Sequence, residues 1–357
     1  MNFIFWQGVI SIHQCAFIRS LSERHSVTLV VEKKISDERK KQGWSVPNMG
    51  NARIIENPDE EMVKDLVNQE NTHFVFSGFQ PFPLAKKALN LIVNKGDHFS
   101  LLLEPYDWRG LKGKLRRLKY TFLAIRQNAS IHRLFVTGSI ASRNYIHCGF
   151  SKDKICQWGY FTMRPSFSAE ISPSERFDIV FVGTLDDNKN VRMLIDEIKK
   201  IPKGVSLTVI GNGPLRDNLK ILSKGYDNIS FLGTLPNEEV SAYIANSDLL
   251  ILPSKYDGWG AVVNEALMVG TPVLASEYCG SSILLDGNIR GECFTFQNFH
   301  SILTKWILKG KTSKDRRRKI AEWAETSISG KAVADYFVEA MNESSAIAPW
   351  LKTNDPK

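Results

Sequence analysis

Long apolar runs are missing from this chain of 357 residues. Nothing approaches the roughly 18–20 consecutive apolar residues that a helix spanning a bilayer requires, which argues against a helical membrane protein. Met1 to Phe17 has no basic leader and no small-residue cleavage site, so no secretory signal is expected. The expected compartment is the cytoplasm, with the inner face of the membrane as its limit. Cysteine is scarce too. Cys15, Cys148, Cys156, Cys279 and Cys293 are odd in number, scattered and never spaced Cys-x-x-Cys. That pattern argues against a disulfide framework and a structural zinc site, and all five read as small buried apolar residues. Acidic residues are in deficit, 38 against 46 lysines and arginines, leaving a net charge of +8. Such an excess suits an anionic partner: nucleic acid, an acidic membrane surface or a phosphorylated ligand. No basic-aromatic module of the kind that binds nucleic acid is present, so nucleic acid is not expected as a partner.

What is present is the composition of a globular protein with a sizeable core, 43% apolar and 24% charged. The length suits two domains. Short apolar runs alternate with helix-compatible segments. Asn2–Phe5, Val27–Val31, Phe74–Phe76, Phe99–Leu103 and Leu134–Val136 form a first set of strands. After a stretch containing Pro and Ser, Asp178–Gly183, Ser206–Ile210, Ile229–Leu232, Asp248–Leu252 and Pro272–Ala275 form a second. Wholly apolar strands alternating with helices indicate parallel sheets covered on both faces. The expected organisation is an α/β domain over 1–163, a linker over 164–176, a second α/β domain over 177–340, and a tail over 341–357. In doubly wound sheets, ligands bind beyond the carboxyl ends of the strands. Two such domains facing across a cleft would share the site.

The segment richest in chemistry is Asp248 to Ser276, DLLILPSKYDGWGAVVNEALMVGTPVLAS. A buried strand ends at Leu252, and a loop feeds a helix beginning near Gly260. Gly258 and Gly260 let the backbone approach a ligand, and the first helical N–H groups favour a phosphate. Asp257 precedes the turn and Glu265 lies eight positions later, near the same mouth. Two carboxylates beside a diphosphate would repel it, so they should accept hydrogen bonds from sugar hydroxyls. A capping Asp and a solvated Glu would explain either residue alone. The pair together with both glycines points to a ligand.

This segment resembles the signature of the retaining glycosyltransferases of family 4, the "group 1" transferases, which have the GT-B fold of two facing Rossmann-like domains. Pro253, Ser254, Gly258, Gly260, Glu265, Ala266, Gly270, Pro272 and Val273 match it. Asp257 stands where the family has its first Glu, and Trp259 where it usually has Phe. The resemblance implies that Asp257 contacts the donor sugar and Glu265 the ribose. It also implies that the backbone from Gly258 through Trp259 and Gly260 to Ala261 borders the diphosphate. Asn264, just before Glu265, occurs in a variant associated with bacterial polysaccharide transferases. A second stretch, Phe181 to Ile198, resembles the family's strand-loop-helix. There Gly183 turns the chain and Lys189 offsets phosphate charge, while Thr184 replaces an arginine. In a third, Gly211-Asn212-Gly213-Pro214 resembles the turn at the edge of the nucleotide pocket, with Pro214 suited to a helix start. The matches cover about Asp178 to Phe294.

The opening of the first domain, FWQGVISIHQCAFIRSLSER, resembles the family's first strand, glycine loop and helix. Gly8 would permit close approach. His13 would bond an acceptor hydroxyl or take its proton, or would simply be structural. Where many members have a histidine, this chain has LLLEPYDWRG, with Glu104 better placed than Asp107. Beyond it, Leu111, Leu115, Leu118 and Phe122 fall on one helical stripe among Lys112, Lys114, Arg116, Arg117 and Lys119. Such a helix is either an ordinary surface helix packing its leucines on the sheet or one drawn to an anionic membrane. The run Lys311 to Lys319 reads as a solvated face.

The expected activity is transfer of a sugar from a nucleotide diphosphate donor, UDP- or GDP-linked, to an acceptor hydroxyl. The acceptor class is a glycan, lipid-linked or not, in cell-surface polysaccharide synthesis. No Asp-x-Asp stands in a suitable loop, so neither metal nor cofactor is expected, and fixed N–H groups with Lys189 would stabilise the departing diphosphate. The alternatives are a sugar-nucleotide epimerase of the same fold and a sugar-nucleotide-binding protein without catalysis.

Overall fold

The computed structural model describes residues 1–35, 46–79, 82–165, 175–201 and 204–352. Most of the expected linker, 166–174, lies outside these. The chain divides into two compact units, Met1–Met163 with Ser329–Lys357, and Arg164–Ile328.

The first unit holds seven parallel strands: β1 (Asn2–Val9), β2 (Ser26–Lys33), β3 (Arg53–Glu56), β4 (Thr72–Ser77), β5 (Phe99–Leu103), β6 (Ile131–Thr137) and β7 (Ile155–Trp158). Their order is β3-β2-β1-β4-β5-β6-β7, a doubly wound sheet that changes direction between β1 and β4. Strand β1 shows why it lies at the centre. Successive side chains point to opposite faces, and Phe3, Ile4, Phe5 and Trp6 are all fully buried, so both faces need cover. Ile4 and Trp6 join a core built with α2 (Glu60–Val67), α3 (Pro83–Lys95) and α5 (Gly138–His147). Between the last two runs α4 (Gly110–Gln127).

Phe3 and Phe5 face α1 (Cys15–Ser22) and a helix from the far end of the chain, α12 (Gly330–Asn342). Phe337 of α12 has its ring 5.4 Å from Phe3, 5.0 Å from Phe17 and 4.7 Å from Phe135. Arg133 Nε donates to the carbonyl of Ala340 at 2.6 Å. At Gly330 a side chain would strike the carbonyl of Ala16, so the helices touch backbone to backbone. The expected second domain therefore ends too late. Its last helix belongs to the first unit, because the β1 face that exposes Phe3 and Phe5 would otherwise lack cover.

The second unit repeats the topology with β8 (Phe177–Val182), β9 (Val205–Ile210), β10 (Ile229–Gly233), β11 (Leu249–Leu252), β12 (Val273–Ser276) and β13 (Gly291–Phe294), ordered β10-β9-β8-β11-β12-β13. Between them run α6 (Val191–Ile198), α7 (Arg216–Leu222), α8 (Asn237–Asn246) and α9 (Val262–Met268). They are followed by α10 (Phe299–Leu308) and α11 (Lys314–Ser327). The direction change falls between β8 and β11. The basic run on α11 is less solvated than expected. Arg317 donates to the carbonyls of Ala245 and Ser247 at 2.9 and 2.7 Å, and Arg316 stacks on Trp306. Of the cysteines, Cys293 is exposed and the other four are buried.

Candidate active site

In the second unit, the loops leaving β8 and β11 emerge side by side at the direction change. Asp186 accepts from the backbone N–H of Lys189 at 2.8 Å, folding the first loop into a tight turn. The two loops are then tied together. Lys255 N–H donates to the carbonyl of Asn188, and the Asn188 amide to the carbonyl of Tyr256, each at 2.7 Å. This joint brings Lys189 Nζ to 2.5 Å from Asp257 Oδ2. The pair keeps a wet edge, the side chains being 22% and 14% exposed.

Asp257 is held from a third side by the loop after β12. Its N–H donates to the carbonyl of Tyr278, and its carbonyl accepts from Gly280 N–H, both at 3.0 Å. A side chain on Gly280 would come within 2.1 Å of the Gly258 carbonyl. Gly260 has φ +87°, the left-handed region, and a side chain there would sit 2.6 Å from Leu252 and 3.5 Å from Asp257 Oδ2. Cys279 lies within this frame, but burial pushes its thiol up to about 12, so it is no nucleophile.

Glu265 stands in the first turn of α9, the helix this loop feeds. Burial raises its carboxyl above the usual range, and it has no hydrogen-bond or ion-pair partner among the described residues. A desolvated carboxylate without donors is suited to accept hydrogen bonds from a ligand's hydroxyls. The side chains of Trp259 and Asn264 turn into the protein. Trp259 is 1% exposed and donates from Nε1 to Asn264 Oδ1 at 2.7 Å, and Asn264 is wholly buried. Their side chains brace the loop from inside, leaving only backbone at Trp259 and Ala261 to meet a ligand.

The glycine turn after β9 also has a second explanation. Gly211 (φ +132°) would place a side chain 1.9 Å from the Gly183 carbonyl, and Gly213 one 2.5 Å from the Leu185 carbonyl. Leu185 N–H donates to the carbonyl of Asn212 at 2.9 Å. These glycines let the β8 and β9 loops close on each other. Thr184 and Asn212 are exposed on that joint. Pro214 sits in the turn two residues before α7 rather than in its first position.

In the first unit a cavity of about 700 Å³ opens at the carboxyl ends of the strands. Gly8, Gln7, Glu104, Lys119, Tyr145 and Tyr160 are among its lining residues. Glu104 follows β5 directly. It accepts from the Tyr160 hydroxyl, and its carbonyl accepts from the Tyr145 hydroxyl at 2.9 Å. His13 stacks on Tyr160 with ring centroids 4.8 Å apart. The two residues expected to handle the acceptor are thus joined through a tyrosine, although His13 stands behind it rather than on the cavity wall. Gly8 has a packing reason, since a side chain there would meet the Phe82 ring at 2.4 Å. Asp107 is engaged by Arg109 at 2.9 Å, which holds its carboxyl below the usual range.

Tyr160 carried no signal that singled it out, and Lys119 stood only among the cations of its helix. Gln7 did carry a signal. It is 4% exposed, the one polar side chain in the buried run of an apolar strand, and its amide donates to Gln14 Oε1 at 2.7 Å.

Residues 164–326 match the family model of the glycosyl transferases group 1. An uncharacterized 41.2 kDa protein of the cps region of Klebsiella pneumoniae is 26% identical over 130 residues, 36% of this chain and 36% of its own. The putative teichuronic acid biosynthesis glycosyltransferase TuaC of Bacillus subtilis is 32% identical over 105 residues, 29% of this chain and 26% of its own. The chain therefore spans about a third or less of the length of these curated relatives. Among solved structures, Anabaena Alr3699/HepE in complex with UDP has a TM-score of 0.69 at 14% identity, covering 96% of this chain and 100% of its own. The fold is accordingly GT-B, two Rossmann-like units in one chain.

Proposed function

From the match of residues 164–326 to the glycosyl transferases group 1 model we propose that the chain transfers a sugar from a nucleoside diphosphate sugar to an acceptor hydroxyl. The observation that carries the reading is the meeting of Lys189 and Asp257, from two separate loops, at the direction change of the second sheet. Lys189 has three N–H donors and spends one on Asp257. The others are available to the diphosphate, and the carboxylate fixes the ammonium where the negative charge will grow. Asp257 and Glu265 accept from the hydroxyls of the sugar and ribose. The bond between the anomeric carbon and the diphosphate oxygen breaks, and a bond from that carbon to the acceptor oxygen forms. The acceptor's proton passes to the leaving phosphate, on the same face of the sugar, so the anomeric configuration is retained. This chemistry needs no metal from the protein, since backbone N–H groups and Lys189 carry the electrostatic load.

The acceptor enters the cavity of the first unit, where Glu104 and the Tyr160 hydroxyl orient it. We take the acceptor to be a glycan, free or lipid-linked, of a cell-surface polysaccharide, as the TuaC name suggests. HepE was solved with UDP, which makes UDP-sugars the first donors to try.

Incubation with UDP- and GDP-sugars tests the reading. Wild type should slowly hydrolyse one of them to the free nucleoside diphosphate, and Glu265→Ala should lose that turnover while melting as a folded protein. A changed sugar on an intact nucleotide would indicate an epimerase, and tight binding without turnover a binding protein.

A further inference from the structure

The apolar stripe of α4 does not pack on the sheet. Leu111 is 79% exposed, Leu115 66%, Leu118 67%, Phe122 61% and Ile125 80%, and Trp108 just before the helix is 55% exposed. The helix makes its tertiary contacts with other residues. Gly113, Ala124 and Gln127 are buried, and Tyr120 and Leu123 pack against the core. At 3.6 residues per turn the stripe lies roughly 180° from that buried face. The packing a surface helix normally gives its leucines is here supplied by a different set of residues, and five large side chains are left in water. Such a contiguous face marks an interaction surface.

Charge selects the partner. Lys112, Lys114, Arg116, Arg117, Lys119 and Arg126 are all exposed on this helix, which contains no Asp or Glu. They flank the stripe on both sides. A second copy of the chain would set six cations against six, which disfavours self-association. The helix ridge is convex and about 27 Å long, so it matches a soft planar surface better than a groove. Apolar side chains between rows of cations are what the interface of an anionic bilayer accepts, the chains entering the acyl boundary and the cations resting on headgroups.

We propose that the outward face of α4, from Trp108 to Ile125, docks on an anionic lipid bilayer. A second element rests on the function proposed above. Lys119 and Tyr120 of this helix also line the cavity assigned to the acceptor. Docking therefore holds that cavity at the headgroup level, where the polar end of a lipid-borne acceptor can enter while its tail stays in the membrane. None of the described helices is long and apolar enough to cross a membrane.

Sedimentation with vesicles tests the proposal. Wild type should bind vesicles of phosphatidylcholine and phosphatidylglycerol in equal parts, should not bind phosphatidylcholine alone, and should be released by raised salt. Replacing Lys112, Lys114 and Arg116 together by Gln should weaken binding about a hundredfold, roughly fivefold per residue. Leu115→Gln, Leu118→Gln and Phe122→Gln combined should weaken it at least about tenfold. This triple should keep the wild-type circular dichroism and wild-type donor hydrolysis in vesicle-free buffer. Wild type that ignores anionic vesicles, or an apolar triple that binds like wild type, overturns the docking. So does a wild-type dimer or an acidic protein complex that the triple abolishes while no vesicle binding is seen. If vesicles bind as expected but no nucleotide sugar is hydrolysed, the docking stands and the transferase reading fails.

Discussion

The candidate pockets of the two units are built differently. In the second unit the side chains stand on loops whose backbones pack against one another so closely that contact dictates the glycines, as at Gly211 against Gly183 and at Gly280 against Gly258. In the first unit the cavity has no such glycine frame among the described residues and is shaped by side chains. Glu104 and Tyr160 are joined by one hydroxyl, with His13 stacked behind, and Gly8 is explained by the Phe82 ring. A donor pocket made of backbone can be rigid and carry a local motif. An acceptor pocket made of side chains can change its specificity one residue at a time. The difference suits an enzyme class in which the nucleotide stays constant and the acceptor varies.

The largest effect that probes this contrast is on folding. Gly211→Ala puts a methyl against a backbone carbonyl at a left-handed φ, and should cost about 3 kcal/mol or more. Gly8→Ala meets only a side-chain ring that can swing aside, and should cost about 1 kcal/mol. Thermal melts of both variants check the order, and equal losses would break the comparison. A smaller effect is expected at Tyr160. Tyr160→Phe keeps the stack on His13 but deletes the donor to Glu104. It should lower transfer to acceptor about tenfold while leaving donor hydrolysis near wild type, as product assays with and without acceptor would reveal.

The smallest effect concerns Glu265. Its carboxyl titrates above the usual range because burial disfavours its charged form. The folded state therefore binds the proton more tightly than the unfolded chain, and stability falls as pH rises from the ordinary glutamate range of about 4.3 upward. Glu265→Gln should raise the melting temperature slightly at pH 7, with the gain vanishing at pH 4 and below. A gain that persists in acid would show that the carboxylate is not the cause. The trade of stability for a charged ligand acceptor is typical of functional positions.

The same contrast governs what could be read before the structure. The central strands were legible because they are apolar on both faces: Phe99–Leu103 is bounded as expected, and β1 runs four residues past Phe5 to Val9. The edge strands β3, β7 and β13 were missed. They are four residues each and only partly buried, so their pattern is weak. The placement of Lys189, Asp257 and Glu265 on loops and at a helix start was legible because a strand, a turn and a helix start follow one another within each loop. The buried pairing of Trp259 with Asn264 was not, since a loop motif does not say which side chains turn inward. Tyr160 was invisible because its partners are long-range, and α12 was misplaced because only the exposed face of β1 calls it back. The stripe on α4 was read correctly as a pattern, yet only packing could tell that it faces water.

The central claim is that Lys189, Asp257 and Glu265 hold the donor nucleotide. Calorimetric titration of UDP and GDP into wild type, Lys189→Ala and Glu104→Ala tests it most directly. One nucleotide should bind wild type and Glu104→Ala with affinities within about twofold, and Lys189→Ala about tenfold or more weaker, the loss of one charge-assisted hydrogen bond. Nucleotide binding that survives in Lys189→Ala and disappears in Glu104→Ala would contradict the account.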